Sequence, residues 1–283
     1  MMQLIIFGAG GTGRRVYQLV KNEYKVIGFA DNDSSRWGNE SIDGIPVFNP
    51  SDLIDMDFDC IMLGTFMGCD EIRKQLKRMN IPEHKIISGY VEISVNARIL
   101  FLKRTAEEYY KYIRGGGIKC SVAEAGVFRG EFAKEINKYY PDKKCFLFDT
   151  FDGFDEKDVT LEQKKSLIVA NYMKGLSEQF VYEKMPHKHM VEIRKGYFPD
   201  SAKGIDEQFC FVNLDMDLYK PIYEGIKFFY PKLISGGTLL IHDYFSDAYP
   251  NVRQAVEDYE KNYSVKLITT PIGDDMSIAI IKS

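Results

Sequence analysis

The chain has 283 residues, 45% of them hydrophobic and 28% charged, with a formal net charge of −4. That length allows one or two domains and a sizeable core, which excludes wholesale disorder. The slight acidic excess excludes a bulk electrostatic grip on nucleic acid, and no apolar run approaches the roughly 20 residues that span a bilayer. The start, Met1-Met2-Gln3-Leu4, has no basic segment ahead of its apolar run, so no signal peptide is read there. Five scattered cysteines without a CxxC pair point to a reduced, cytoplasmic protein, not to a disulfide or zinc framework.

An apolar strand over 3–7 runs into Gly8-Ala9-Gly10-Gly11-Thr12-Gly13 and then a helix over 14–22. A second strand over 25–30 ends at Asp31. This is the dinucleotide-binding layout: glycines bring backbone close to a phosphate, the helix N-terminus offers free N–H groups, and the acid takes ribose hydroxyls. Gly8, Gly10, Gly11, Gly13 and Asp31 are the candidate nucleotide ligands. A strand over 60–65, a helix over 71–79 and an apolar pair, Ile86-Ile87, close a Rossmann-like domain over 1–90, about half of a full NAD fold. The start Ile5-Ile6-Phe7-Gly8-Ala9-Gly10-Gly11, then Gly28-Phe29-Ala30-Asp31-Asn32-Asp33 and Gly44-Ile45-Pro46-Val47, resemble the N-terminal domain of bacterial sugar-nucleotide acetyltransferases of the PglD kind. That resemblance implies a UDP-sugar as ligand.

Residues 91–117 read as a connector, helical to about 114 and rich in Tyr, Arg and Glu, then broken by Gly115-Gly116-Gly117. Its aromatic surface is a candidate interface for a homo-oligomer.

A second opening follows in the domain over 118–283. The strand ending Glu124-Ala125-Gly126 leads through Val127-Phe128-Arg129-Gly130 into a helix over 131–139, and the next strand ends in Asp149, 25 positions after Glu124. The spacing fits a βαβ unit. An acid and a glycine loop suit a ligand bearing an amino acid, and a second acid suits its ribose; S-adenosylmethionine (AdoMet) has both. Glu124, Ala125, Gly126, Phe128, Gly130, Asp149, Thr150 and Gly196 are the candidate cofactor residues. The stretch 155–189 is long for a βα connection and reads as a lid, with Leu167, Val169, Tyr172 and Met173 on one face.

The apolar strand over 209–214 runs into Asp215-Met216-Asp217, and period-two alternation puts both acids on one side of an extended strand end. A helix follows with Pro221 early and Ile222, Ile226, Phe229 and Leu233 at helical spacing. Gly236-Gly237 leads into a strand over 238–241, ending in His242-Asp243. Ligands sit at the carboxyl ends of parallel strands, so Asp215, Asp217, His242 and Asp243 meet at one rim. Such a cluster repels itself unless a cation binds or protons are taken up. A helix over 252–262 and two strands, 265–271 and 276–282, turning at Gly273-Asp274-Asp275, complete a seven-stranded α/β sheet with an antiparallel last strand.

Ala125-Gly126-Val127-Phe128-Arg129-Gly130, Asp149-Thr150-Phe151-Asp152-Gly153-Phe154, Lys195-Gly196-Tyr197-Phe198-Pro199-Asp200, Leu214-Asp215-Met216-Asp217-Leu218-Tyr219, Tyr230-Pro231-Lys232-Leu233 and Arg253-Gln254-Ala255-Val256 stand in one order over about 160 residues. This set resembles the macrocin O-methyltransferase (TylF-like) family. The resemblance implies a class I methyltransferase fold, AdoMet as methyl donor, a divalent cation and a sugar or aromatic hydroxyl as acceptor. The family's first metal acid carries over to Asp215 and the second acid of its later Asp pair to Asp243; His242 stands where the first acid of that pair belongs. The expected cation is Mg²⁺, with Mn²⁺ as the alternative that an imidazole favours. Asp215, Asp217 and His242 are the catalytic candidates, with Asp217 or His242 as base. The expected partner is a small sugar or sugar-nucleotide, with no membrane or nucleic acid. Two other readings stay open: an NAD(P)-linked sugar-nucleotide oxidoreductase or epimerase using the first glycine loop, and a non-catalytic sugar-nucleotide binder. Against the first, Tyr139-Lys143 and Tyr140-Lys144 have the Tyr-x-x-x-Lys spacing but sit where a helix ends before a strand.

Overall fold

The computed structural model describes residues 1–38, 43–65, 68–113, 119–159 and 176–283. They form two compact units, Met1–Val95 and Asn96–Ser283.

In the first unit a five-stranded sheet has the order β3-β2-β1-β4-β5, all parallel. β1 (Gln3–Phe7) and β4 (Cys60–Leu63) form its buried centre. β2 (Lys25–Ala30), β3 (Val47–Phe48) and β5 (Ile86–Ile87) flank them. Leu4, Ile5 and Ile6 are all fully buried, as an apolar run covered on both faces must be. α1 (Gly11–Val20) starts three residues earlier than the sequence pattern indicates, because Gly11 and Gly13 lie inside its first turn. Gly13 permits this: a Cβ there would lie 1.8 Å from the Gly8 carbonyl oxygen. α2 (Cys69–Arg78) packs Ile72 and Leu76 into the core.

α3 (Gly89–Glu108) continues as a π-helical turn over Tyr109–Ile113. The division between the two units falls within it, after Val95. The expected break at Gly115-Gly116-Gly117 lies outside the described residues. In the second unit Leu102, Ala106 and Tyr109 of this helix are buried with Val122, Ile136, Tyr140 and Phe211. The helix is therefore part of that core.

The second unit holds seven strands in the order β11-β12-β10-β9-β6-β7-β8. β6 (Ser121–Ala125), β7 (Cys145–Asp149), β8 (Val191–Lys195), β9 (Phe209–Leu214) and β10 (Leu233–Ile241) are parallel. β12 (Ile278–Ile281) runs antiparallel to both β10 and β11 (Thr269–Pro271). The α/β class and the seven-stranded sheet with its antiparallel closing strand are as the sequence indicates. α4 (Glu131–Tyr139), α7 (Tyr219–Phe229) and α8 (Asn251–Tyr263) cover the faces. α5 (Glu156–Val159) and α6 (Glu178–Lys184) bound the expected lid, whose central residues 160–175, including Leu167, Val169, Tyr172 and Met173, lie outside the described part. Among the described residues no helix is long and apolar enough to cross a membrane.

Three local expectations are corrected. Leu233 does not continue α7, because a 3-10 turn over Tyr230–Lys232 intervenes and Leu233 opens β10. Gly236 and Gly237 therefore lie inside β10, where Gly236 takes φ +76 and the register to β9 shifts between Leu233 and Thr238, a bulge that glycine allows. The strand expected over 265–271 shortens to Thr269–Pro271.

Candidate active site

The register of three strands builds the rim. Ala125 on β6 pairs with Leu214 on β9, and Leu214 pairs with Ile241 on β10. The next residue of each strand, Gly126, Asp215 and His242, therefore stands in one row. Backbone bonds hold that row: Asp215 N–H donates to the Ala125 carbonyl at 2.8 Å and His242 N–H to that of Leu214 at 2.9 Å. Gly126 takes φ +86, and a Cβ there would lie 1.8 Å from the Asp215 carbonyl oxygen. The glycine thus lets two strand ends meet, a reason separate from any ligand.

The chain beyond β9 is not extended. β9 stops at Leu214 and Asp217 takes φ +61, so the expected alternation of Asp215 and Asp217 along a strand does not hold. Asp243 likewise sits at φ +57. Such conformations are uncommon for non-glycine residues and cluster at functional sites. One ligand atom each from Asp215, His242 and Asp243 lies within 4.8 Å of the others. Asp217 adjoins this group. Burial, then the neighbouring Asp243 and Asp215, push its carboxyl well above the usual range. Burial also acts to raise Asp215, but His242 and Arg98 outweigh it and hold that carboxyl below its ordinary value.

Arg98 on α3 was not a candidate from the sequence. Its Nη2 donates to Asp215 Oδ2 at 2.8 Å and to Asn213 Oδ1 at 3.0 Å, and its guanidinium lies 4.2 Å from the Phe132 ring centre. Asn213 in turn donates through Nδ2 to Glu124 Oε1 at 2.7 Å. Glu124 is only 2% exposed, and its Oε2 finds no partner. Burial pushes its carboxyl up to about 8. A lone basic residue in the apolar run Ala97–Leu102 and an asparagine inside an apolar strand were the available signals.

The other cofactor candidates form the loop itself. Asp149 Oδ2 accepts from the N–H groups of Val127 and Phe128, both at 2.8 Å, and Oδ1 accepts from Phe151 N–H at 2.7 Å. Phe128 has φ +49. Gly130, at φ +78, caps α4, where a Cβ would meet Val181 Cγ1 at 2.9 Å. Thr150 Oγ1 donates to the Gly153 carbonyl at 2.6 Å, and Gly196 N–H to the Asp149 carbonyl at 2.9 Å. Ala125 is fully buried. His242 Nδ1 lies 2.9 Å from Ser277 Oγ.

In the first unit Asp31 pins its glycine loop in the same manner. Its Oδ2 accepts from Ala9 N–H at 2.7 Å and its Oδ1 from Asp33 N–H at 2.9 Å. Gly8 takes φ +115, and Gly11 opens α1. Gly10 is open: a Cβ there would meet only Arg36 Nη1, at 3.4 Å.

The residues present fit the groups the chemistry asks for. The partnerless Glu124 Oε2 beside the glycine loop is an acceptor for the ammonium of AdoMet once its proton is released, which that positive charge favours. Two carboxylates and an imidazole form a mixed oxygen and nitrogen set suited to Mn²⁺, Fe²⁺ or Zn²⁺ more than to Mg²⁺.

Comparison with known proteins bears on both units. Residues 1–87 match the family described as C2185-like, N-terminal; the PglD-like resemblance of this part has no counterpart in that match. A rhamnosyl-tetracenomycin-C 4'-O-methyltransferase of Streptomyces olivaceus is 24% identical over 64% of this chain and 73% of its own length. The mycinamicin III 3''-O-methyltransferase of Micromonospora griseorubida is 25% identical over 53% of this chain and 63% of its own length, just under two thirds. The solved structure of the O-methyltransferase NovP covers 66% of this chain and 80% of its own, with a TM-score of 0.55 at 19% identity. The calicheamicin methyltransferase CalS11 covers 88% and 96%, with a TM-score of 0.52 at 13% identity. These structures share the fold. Residues 97–278, which contain the rim, its glycine loop and Arg98, match the macrocin-O-methyltransferase (TylF) family, and the chain belongs to that family of AdoMet-dependent O-methyltransferases.

Proposed function

We propose that this enzyme methylates a hydroxyl of a sugar, free or nucleotide-linked, with a divalent cation held by Asp215, His242 and Asp243. The observation that carries the reading is the approach of those three ligand atoms to within 4.8 Å of one another, in the row that begins at Gly126. The rhamnosyl substrate named for the S. olivaceus relative supports a sugar acceptor. When bound, AdoMet would supply an activated methyl group and the cation would lower the pKa of the acceptor hydroxyl. The chain's own residues do the rest. Glu124 and the loop from Gly126 to Gly130 receive the methionine end and Asp149 the ribose. Arg98 holds one oxygen of Asp215, which leaves the other for the cation. Asp217, two residues beyond Asp215 at the same strand end, takes the hydroxyl proton.

Gly8, Gly10, Gly11, Gly13 and Asp31 in the first unit bind a nucleotide or nucleotide-sugar. The exposed Ile93 and Leu100 of α3, one heptad apart, are offered as contacts of a homo-oligomer, which light scattering on an Ile93→Ser, Leu100→Ser pair tests. Five cysteines without a disulfide accord with a reducing compartment such as the cytoplasm.

Methyl transfer to a panel of nucleotide sugars and glycosides, run after EDTA treatment and again with Mn²⁺ or Mg²⁺ restored, tests the central claim. The expected result is loss with EDTA and greater recovery with Mn²⁺. Full turnover in EDTA would remove the cation from the mechanism.

A further inference from the structure

His242 stands where the family resemblance implies an acid, and the structure surrounds it with groups suited to an imidazole. Its Nδ1 lies 2.9 Å from Ser277 Oγ, and Ser277 Oγ lies 2.5 Å from Asp274 Oδ2. Ser277 and Asp274 are each 1% exposed. Both come from the stretch between β11 and β12, where the sequence presents Asp274 as part of a turn and Ser277 as part of the last strand.

The direction of this chain of bonds follows from donor counting. Asp274 Oδ1 already accepts from the N–H groups of Met276 at 3.0 Å and Ser277 at 2.7 Å. A carboxylate accepts only, so the Ser277 hydroxyl donates to Oδ2. Its one proton is then used, and Ser277 Oγ can only accept from the imidazole. Nδ1 must carry the ring proton, and in the neutral ring Nε2 keeps the lone pair. Metal-binding histidines are commonly fixed this way, through a partner on the other ring nitrogen.

We propose that Asp274 and Ser277 are positioning residues that lock His242 with its proton on Nδ1 and present Nε2 as the nitrogen ligand of the cation. The inference rests on the metal reading above, and its first measurement needs no metal. Asp274→Asn is the informative variant. The amide oxygen must stay on the side of the two backbone donors, so the amide NH₂ faces Ser277 and donates to it. The hydroxyl then donates to Nδ1, and the ring proton moves to Nε2. Shape is kept while the bond chain reverses.

Nitrogen-detected NMR of histidine-labelled, metal-free enzyme reads the tautomer, with the His242 signal identified by its loss in His242→Gln. The parent should carry its proton on Nδ1 and Asp274→Asn on Nε2. Ser277→Ala should populate both forms, and Ser277→Thr, which keeps the hydroxyl, should restore the parent form. Manganese titration should then show affinity at least about tenfold weaker in Asp274→Asn and Ser277→Ala, with AdoMet affinity unchanged and Ser277→Thr like the parent. A parent protonated on Nε2, or a tautomer indifferent to Asp274→Asn, overturns the lock. Tautomers as expected with unchanged Mn²⁺ affinity in the variants keep the lock and overturn His242 as a ligand. If Asp274→Asn fails to fold, the Ser277 pair decides both points.

Discussion

Replacing Glu124 with Gln tests whether the acid under the glycine loop carries a proton in the folded chain. Burial raises its carboxyl from 4.5 to about 8, against the opposing pull of Arg98 and of the Asn213 hydrogen bond. A folded pKa above the unfolded one means that the folded chain keeps a proton which the unfolded chain has released. The stabilisation is complete below pH 4.5, declines as pH rises, and is lost above about pH 8. The interval from 4.5 to about 8, at about 1.4 kcal/mol per pH unit, amounts to about 5 kcal/mol. No discount for solvent applies to a side chain 2% exposed. Gln keeps the oxygen that Asn213 uses and does not titrate. The two proteins should therefore melt alike at pH 5, with the Gln variant pulling ahead until about pH 8 and holding its lead beyond. At about 2–4 °C per kcal/mol for a unit of this size, the lead reaches about 10 °C or more. Calorimetry from pH 5 to 9, following the second unit's transition, measures it. A melting difference that stays constant over that range would mean that Glu124 is ionised in the fold with Arg98 as counter-ion, and the reasoning would be wrong.

Gly126→Ala should destabilise the second unit by about 3 kcal/mol or more, since a Cβ 1.8 Å from the Asp215 carbonyl must part the two strand ends; urea unfolding checks it. Arg98→Met should destabilise by about 1–3 kcal/mol, because it leaves the part-buried Asp215 carboxylate and the Asn213 oxygen without their shared donor, and an unchanged melting temperature would contradict that. Asp215→Asn keeps an acceptor for Arg98, so it should fold and bind AdoMet normally in calorimetry while losing at least about a hundredfold in turnover. Gly10→Val should fold, because only the end of Arg36 stands near, and should abolish nucleotide-induced melting shifts while AdoMet affinity holds; loss of AdoMet binding would place the two sites the wrong way round.

The strands themselves and the rim residues were legible because they follow from patterns the chain must keep, whereas the order of the strands came only with the structure. Fully buried parallel strands read as apolar runs, and the residues just past them, Asp215, His242 and Asp243, fall side by side by register. What escaped was whatever depends on a partner far along the chain. Arg98 meets Asp215 across 117 positions, and His242 meets Ser277 across 35. Glu124 and Asp149 stood out by residue type and spacing. Nothing local, however, told that one would be sealed beside Asn213 and the other would hold the amides of Val127 and Phe128. Glycines 126 and 130 were read for ligand access, yet their missing side chains make room for Asp215 and Val181.

The position of Arg98 on α3 limits how such proteins can be recombined. A fragment cut at the glycine run, which looks like a natural seam in the sequence, would leave the methyltransferase sheet without Leu102, Ala106 and Tyr109 on one face and without the cation that neutralises Asp215. The exchangeable module begins before residue 98. A swap of the first unit for a domain of other specificity therefore has to keep the later turns of that helix in frame, so that an insertion or deletion there acts on catalysis directly.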